Sequence, residues 1–157
     1  MPTSIILHDA KPGPIAMDPA STAVIVVDMQ NDFGAEGGMF DRAGIDLTAF
    51  RRAVGPIAKV LASARRAGIK IIYLKMGYRP NLSDLGTPDA PNRVRHLRIF
   101  HVGETIQAPD GSESGILVRD TWNTDIGAGL APQPGDIRIS THRFTGSPPS
   151  AIDSVPH

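Results

Sequence analysis

The sequence AVIVVDMQNDF at residues 23–33 decides the fold of this chain, because a run of apolar residues ends there abruptly in polar ones. Five consecutive apolar residues, three of them valine and one isoleucine, are typical of a short strand that is covered on both faces in a parallel sheet. We expect this strand over residues 22–28. Asp28 then lies at the carboxyl edge of the sheet, where open α/β folds bind their ligands.

Asp28 is therefore a candidate catalytic carboxylate. The apolar strand behind it excludes water from one side of the carboxyl group, so its pKa depends on the neighbouring groups. Such a group can act as a general base or stabilise a developing charge. The alternative is that Asp28 caps a turn and that Asn31 and Asp32 are solvated loop residues.

The segment from Val26 to Phe33, followed by Gly37 and Gly38, resembles the opening signature of the isochorismatase-like cysteine hydrolases. Within that superfamily the chain is most similar to the ureidoacrylate amidohydrolase group. The resemblance implies a three-layer α/β/α, Rossmann-like fold with a parallel sheet. It also implies an active site of a cysteine nucleophile, a lysine and an aspartate, with Asp28 as that aspartate, and a small amide or acyl-urea as substrate.

The chain pattern around this segment predicts an irregular arm and one domain. Four prolines and the lack of any sustained period predict an irregular arm over residues 1–20, and the domain is expected over residues 21–157. A helix is predicted from Asp46, because apolar residues recur there every three or four positions. Pro56 removes a backbone donor, so we expect a bend there and the main helix at 56–67.

Two further strands are predicted, and both are expected to be parallel to the first. Residues 69–75 return after the helix and complete a βαβ unit, and residues 137–140 follow a turn rich in proline and glycine. Lys75 ends the second strand and is expected to reach solvent.

The resemblance also locates the other two catalytic positions. The family has its lysine at the end of the third strand, where this chain has Thr141, and Arg143 and Phe144 then reproduce the family's continuation. The family's cysteine follows still later, and these 157 residues contain no cysteine. We therefore expect the N-terminal portion of the family domain, without amidase activity of its own, because a nucleophilic mechanism needs the thiolate.

The candidate substrate-binding residues follow from the same resemblance, with Trp122 open between a pocket wall and a core residue. They are Asn31, Phe33, Tyr78, Trp122, Arg143 and Phe144. A helix is also predicted over about residues 90–99, and its cluster of Arg93, Arg95, His96 and Arg98 can either orient a substrate carboxylate or form a solvated face. We favour the solvated face, because exposed charges of this kind are usually hydrated.

Composition excludes several other classes of protein. Sixteen basic and sixteen acidic residues balance, and no long basic cluster occurs, which argues against a nucleic acid or an anionic membrane as partner. No membrane-spanning run or secretory signal is present, so a cytoplasmic location is expected. Without cysteine, and with His96 and His101 lacking a third ligand at helical spacing, neither a metal site nor a cofactor is predicted.

Other functions remain as alternatives at this level. A non-catalytic pseudoenzyme or interaction module would complete its sheet with another chain, and a homo-oligomer is expected because a sheet cut short leaves apolar edges and faces. A serine or threonine hydrolase is disfavoured because no histidine can be assigned as the activating base. A magnesium-dependent phosphatase is disfavoured because Gln30 occupies the position of the partner acid.

Overall fold

The structure is a computed structural model that describes residues 4–141. The strands of this part of the chain are β1 (Ile5–Leu7), β2 (Ile15–Met17), β3 (Ala23–Val27), β4 (Lys70–Met76), β5 (Thr105–Gln107), β6 (Glu113–Gly115) and β7 (Ile137–Thr141). The α-helices are α1 (Asn31–Gly34), α2 (Met39–Arg42), α3 (Thr48–Arg66) and α4 (Pro91–Arg98).

A parallel sheet of three strands, in the order β3-β4-β7, organises the fold. Val27 lies beside Leu74, and Leu74 lies beside Ile139, so the three strands end at one common edge. This confirms the predicted α/β class and the parallel arrangement. The strand bounds differ from the predicted ones by one residue at most ends, because strand ends depend on the partner strand as well as on composition.

Helix α3 makes the crossover between β3 and β4 and covers one face of the sheet. Leu61 and Ala64 of the helix are buried against Val26, Ile71 and Tyr73 of the two strands. The helix ends where the sequence indicated, with Gly68 in the left-handed conformation at φ 72°. This packing is what holds the carboxyl ends of β3 and β4 in register beside the site.

The predicted start of the main helix at Pro56 is wrong, since α3 is continuous from Thr48 to Arg66 with Pro56 inside it, and the bend at Pro56 stays a prediction. The proline removes one backbone donor, but the residues on either side of it, Val54 and Ile57, pack against the sheet core. Tertiary packing therefore keeps helical a segment that local propensity alone would interrupt.

The arm over residues 1–20 is not irregular throughout, which corrects the sequence prediction. β1 and β2 form a short antiparallel hairpin in which Ile5 lies beside Met17 and Leu7 beside Ile15. Pro12 and Pro14 fall in the connection between the strands, and Pro19 begins a single-turn helix after β2. The prolines are thus confined to positions where no ladder hydrogen bond is lost.

The long segment between β4 and β7 carries a second core beside the sheet edge. It contains α4, close to the helix predicted over residues 90–99, and the antiparallel pair β5 and β6. Buried side chains there include Tyr78, Leu85, Val102, Ile106, Ile116 and Leu117. Among residues 4–141, no helix combines the length and the apolar character needed to cross a lipid bilayer.

Candidate functional site

Asp28 is the first residue after β3, and the chain turns sharply at it. Its backbone N–H donates to the Leu74 carbonyl at 2.9 Å, which continues the parallel ladder by one bond. Its φ of 56° then lies in the left-handed region, which aspartate and asparagine adopt more readily than most residues. The carboxyl group is therefore carried at the edge of the sheet where all three strands end.

A cavity of about 440 Å³ lies beside this carboxyl group, a volume within the range typical of small-molecule sites. Its described walls are mainly apolar and aromatic, and three polar residues from α4 also line it. The lining residues are Val27, Asp28, Met29, Phe33, Met39, Phe40, Phe50, Met76, Asn92, Arg95, His96, Phe100 and Leu117. The cavity thus joins the sheet edge to α4.

Burial raises the pKa of Asp28 above its ordinary value, and a hydrogen bond from the Met76 backbone opposes part of that shift. The cause is the apolar surroundings, which disfavour the charged form of the carboxyl group. A raised pKa makes a carboxylate a stronger base than it is in water. Asp28 can therefore accept a proton from a group that enters the cavity.

His96 is a buried residue of the cavity wall, so it departs from the expected solvated face of α4, on which Arg95 and Arg98 are exposed. Its Nδ1 lies 3.1 Å from the hydroxyl oxygen of Tyr78. Desolvation, helped by the neighbouring charge of Arg95, lowers the pKa of His96, so its imidazole is neutral near pH 7. Burial raises the pKa of Tyr78 to about 12, and the hydroxyl therefore keeps its proton.

The three arginines of α4 have different surroundings. Arg95 lines the cavity, and its guanidinium lies over the Phe100 ring at 5.4 Å from the ring centroid. Arg93 donates to the Gly86 carbonyl, and Arg98 is exposed. The helix therefore presents Arg95 and His96 to the cavity and directs the other two cations elsewhere.

Asp32 is a second carboxylate near the site, and it is fully buried, which rules out for Asp32 the alternative of a solvated loop residue. It accepts hydrogen bonds from the Met39 and Leu117 N–H groups and from the Asn123 side-chain amide. Desolvation raises its pKa to about 6 against the opposing effect of these three donors. No local sequence signal shows this, because the donors come from distant parts of the chain.

Gln30 and Asn31 also connect segments rather than face the cavity. The Gln30 side chain donates to the Met76 carbonyl and accepts from the Met76 N–H, both at 2.8 Å, so it holds the chain after β3 against the end of β4. Asn31 donates through its side chain to the Trp122 carbonyl. These bonds fix the loop that follows Asp28.

The structure brings together only some of the predicted site residues. Within residues 4–141, Asp28 and Phe33 line the cavity, whereas Asn31 and Trp122 line a separate apolar one and Tyr78 is buried behind His96. The role of these residues in substrate binding remains a prediction. Arg143 and Phe144 lie outside the described residues.

Thr141 lies at the end of β7, beside Met76, and Met76 in turn lines the cavity. Asp28 follows β3 on the other side of β4, so two strand spacings, about 9 to 10 Å, separate the backbones. The short threonine side chain cannot cover that distance. A cation on a longer side chain at position 141 would come closer to Asp28.

Lys75 does not reach freely into solvent as the sequence suggested. Its side chain is only 12% exposed, and its Nζ lies 3.6 Å from a carboxylate oxygen of Asp125. In β4 it alternates with Met76, so the two side chains leave opposite faces of the sheet. Lys75 is therefore on the other face from the cavity-lining Met76.

Comparison with known proteins identifies the family of this chain. The chain matches the model of the isochorismatase domain over residues 22–147. It is 35% identical over 150 residues to the ureidoacrylate amidohydrolase RutB of Caulobacter segnis, and 36% identical over 146 residues to RutB of Agrobacterium fabrum. These alignments cover 96% and 93% of this chain but 61% and 62% of the relatives. The chain thus spans about three-fifths of the length of the curated relatives it matches.

Solved structures show the same fold. A cysteine hydrolase from Pseudomonas syringae has a TM-score of 0.64 at 28% identity, over 88% of this chain and 54% of its own. An isochorismatase family protein from Desulfovibrio vulgaris has a TM-score of 0.56 at 26% identity, over 85% and 59%. With the domain match over most of its length, the chain belongs to the isochorismatase family.

Proposed function

We propose that this chain supplies the catalytic carboxylate and part of the substrate pocket of an amidohydrolase that cleaves a C–N bond in a small amide or acyl-urea. The observation that carries the proposal is the position of Asp28, on an apolar cavity at the carboxyl edge of the parallel sheet. The relatives named as ureidoacrylate amidohydrolases support the choice of substrate class.

Asp28 would act as the base in this reaction. In the mechanism that the family resemblance implies, the carboxylate takes the proton of a cysteine thiol, and the thiolate attacks the amide carbonyl carbon. The amine leaves with a proton, and water then hydrolyses the thioester. These 157 residues contain no cysteine and have Thr141 at the position of the lysine. We therefore expect them to bind the ligand without turning it over.

Methionine methyl NMR tests the binding directly. Met29, Met39 and Met76 line the cavity, whereas Met17 lies in β2 and does not. Titration with 3-ureidopropionate, a saturated ureido acid, is expected to shift the three cavity methyl signals and leave the Met17 signal unchanged. Absence of shifts, or an equal shift at Met17, would overturn the proposed binding site.

An ammonia-release assay tests the expected lack of turnover. The purified chain is expected to release no more ammonia from 3-ureidopropionate than buffer does. Saturable release that is lost in Asp28→Asn would show that the chain is active and that another group replaces the thiol.

A second candidate function, an interaction module, is favoured by a different observation. Ile25 and Val27 of β3 are 51% and 54% exposed although both are large and aliphatic. Exposed apolar side chains of this kind are typical of association surfaces. If a second copy covers them, light scattering during size exclusion should give a dimer mass, and Ile25→Lys should return it to the monomer mass. A monomer at all accessible concentrations would exclude this candidate.

A further inference from the structure

We propose that Arg95 makes this site selective for anionic ligands, by binding a carboxylate of the molecule whose amide lies at Asp28. The inference rests on the proposed function and adds to it a specificity-determining residue. It follows from the charges, the packing and the pairing of the cavity residues.

The first observation is the distribution of charge around the cavity. Among the described lining residues, Asp28 is the one acid and Arg95 is the one permanent cation, and the remainder are neutral and mostly apolar. Apolar walls screen a charge less than water does, which strengthens the effect of half-buried Asp28, whereas Arg95 is exposed and acts on a ligand mainly through direct contact. An anionic group is repelled by ionised Asp28 and attracted by Arg95. The cavity therefore favours one orientation of a ligand that carries both an amide and a carboxylate.

The second observation is that Arg95 has no acidic partner within residues 4–141. Two other arginines do have one, since Arg65 pairs with Asp136 and Arg119 pairs with Asp84. A guanidinium offers a rigid fork of donors that matches a carboxylate with two parallel hydrogen bonds. An arginine that lines a cavity without an acidic partner is suited to bind a carboxylate of the ligand.

The third observation is how the guanidinium is held. The Phe100 ring lies under it at 5.4 Å, and both residues line the cavity. This cation–π contact restricts the long side chain and leaves the donor edges of the guanidinium available. Asn92, from the turn of α4 that precedes Arg95, adds an amide to the same wall. A ligand carboxylate thus meets a donor group that is already partly ordered.

The test compares two ligands that differ only in charge. 3-Ureidopropionate carries a carboxylate, and 3-ureidopropionamide replaces it with a neutral amide of the same shape. Each is titrated against the chain while the Met29, Met39 and Met76 methyl signals are followed. The variants are Arg95→Gln and, as the matched control, Arg98→Gln, which removes the same charge from an exposed residue of the same helix that does not line the cavity.

We expect the anion to bind the unmodified chain about tenfold more tightly than the neutral amide, and Arg95→Gln to abolish that preference. Arg98→Gln should keep it. If the unmodified chain binds both ligands equally, or if both variants weaken binding of the anion to the same extent, Arg95 does not determine the selectivity. The proposed function still stands in that case. If neither ligand shifts the cavity methyl signals, the proposed function fails and the inference fails with it.

Discussion

Asp28, which follows β3, and Asp32, in α1, lie four residues apart, and burial raises the pKa of both, yet their surroundings give them different roles. Asp32 is fully enclosed, and donors from three segments saturate its two oxygens. Asp28 opens onto the cavity, where a ligand can reach it. Burial alone therefore does not identify a reactive carboxylate. What distinguishes Asp28 is a side that opens onto the cavity, and residues 4–141 do not supply a donor for each of its oxygens.

The largest expected effect comes from Asp32→Asn. An asparagine keeps the shape but has one acceptor oxygen, so at least one of the Met39, Leu117 and Asn123 donors is left facing an amide N–H. A buried unpaired donor costs about 1 to 3 kcal/mol, and we expect the free energy of unfolding at pH 4, where Asp32 is protonated and carries no desolvated charge, to fall by about 2 to 3 kcal/mol. Urea denaturation measures it. An unchanged midpoint would mean that the three bonds contribute nothing to stability.

The next effect is the pH dependence that Asp32 imposes. Its pKa is about 6 in the folded chain against an ordinary 3.8, so the folded state binds the proton more tightly than the unfolded state does. The contribution to stability is complete below about pH 4 and is lost as the pH rises through about 6, by about 2 to 3 kcal/mol. The contribution of Asp32 is isolated by measuring urea midpoints at pH 4 and 6.5 for the unmodified chain and for Asp32→Asn, and by comparing the two changes. An equal pH dependence in the variant would contradict this assignment.

A smaller effect is expected from Thr141→Lys. The new ammonium lies on the same face as Met76, toward the cavity, and should lower the pKa of Asp28 by about one unit. Carboxyl ¹³C NMR titration reports it, with the Asp28 signal assigned by its loss in Asp28→Asn. Ser140→Lys is the matched control, because neighbouring residues of a strand point to opposite faces. A shift of equal size in the control would show that the effect is not local.

The smallest effect on stability is expected from Asp28→Asn. Asparagine also tolerates the left-handed backbone at this position, and the change removes a half-buried charge. The free energy of unfolding should therefore change by less than about 1 kcal/mol, which the same urea experiment measures. A loss as large as that for Asp32→Asn would make Asp28 structural and would end the distinction between the two carboxylates.

Much of the fold followed from short-range pattern. The apolar run before Asp28, the periodic segment ending at Gly68 and the helix near Pro91 were each found close to their predicted bounds, because burial of one face or one strand is encoded locally. The start of the main helix was placed too late, at Pro56, because packing against the sheet outweighs the local loss of one hydrogen bond.

The candidate site was only partly predictable. The motif at residues 26–33 located Asp28 and Phe33, whereas the solvated face expected on α4 did not anticipate that His96 is buried in the cavity wall. The assignment of Tyr78 to substrate binding remains a prediction, and in the structure its hydroxyl contacts His96. Which face of a short segment points into a cavity depends on how distant segments pack, so these orientations could not be derived from spacing.

The sequence by itself determined the α/β class, the parallel strands and the carboxylate at the sheet edge, because each depends on residues adjacent in the chain. Only the tertiary structure decided that Asp32 is buried by donors up to 91 residues away, that Lys75 pairs with Asp125, and that Arg95 faces the cavity. The physical reason is that burial and charge pairing are set by groups that meet in space after folding, and their separation along the chain carries no record of that meeting.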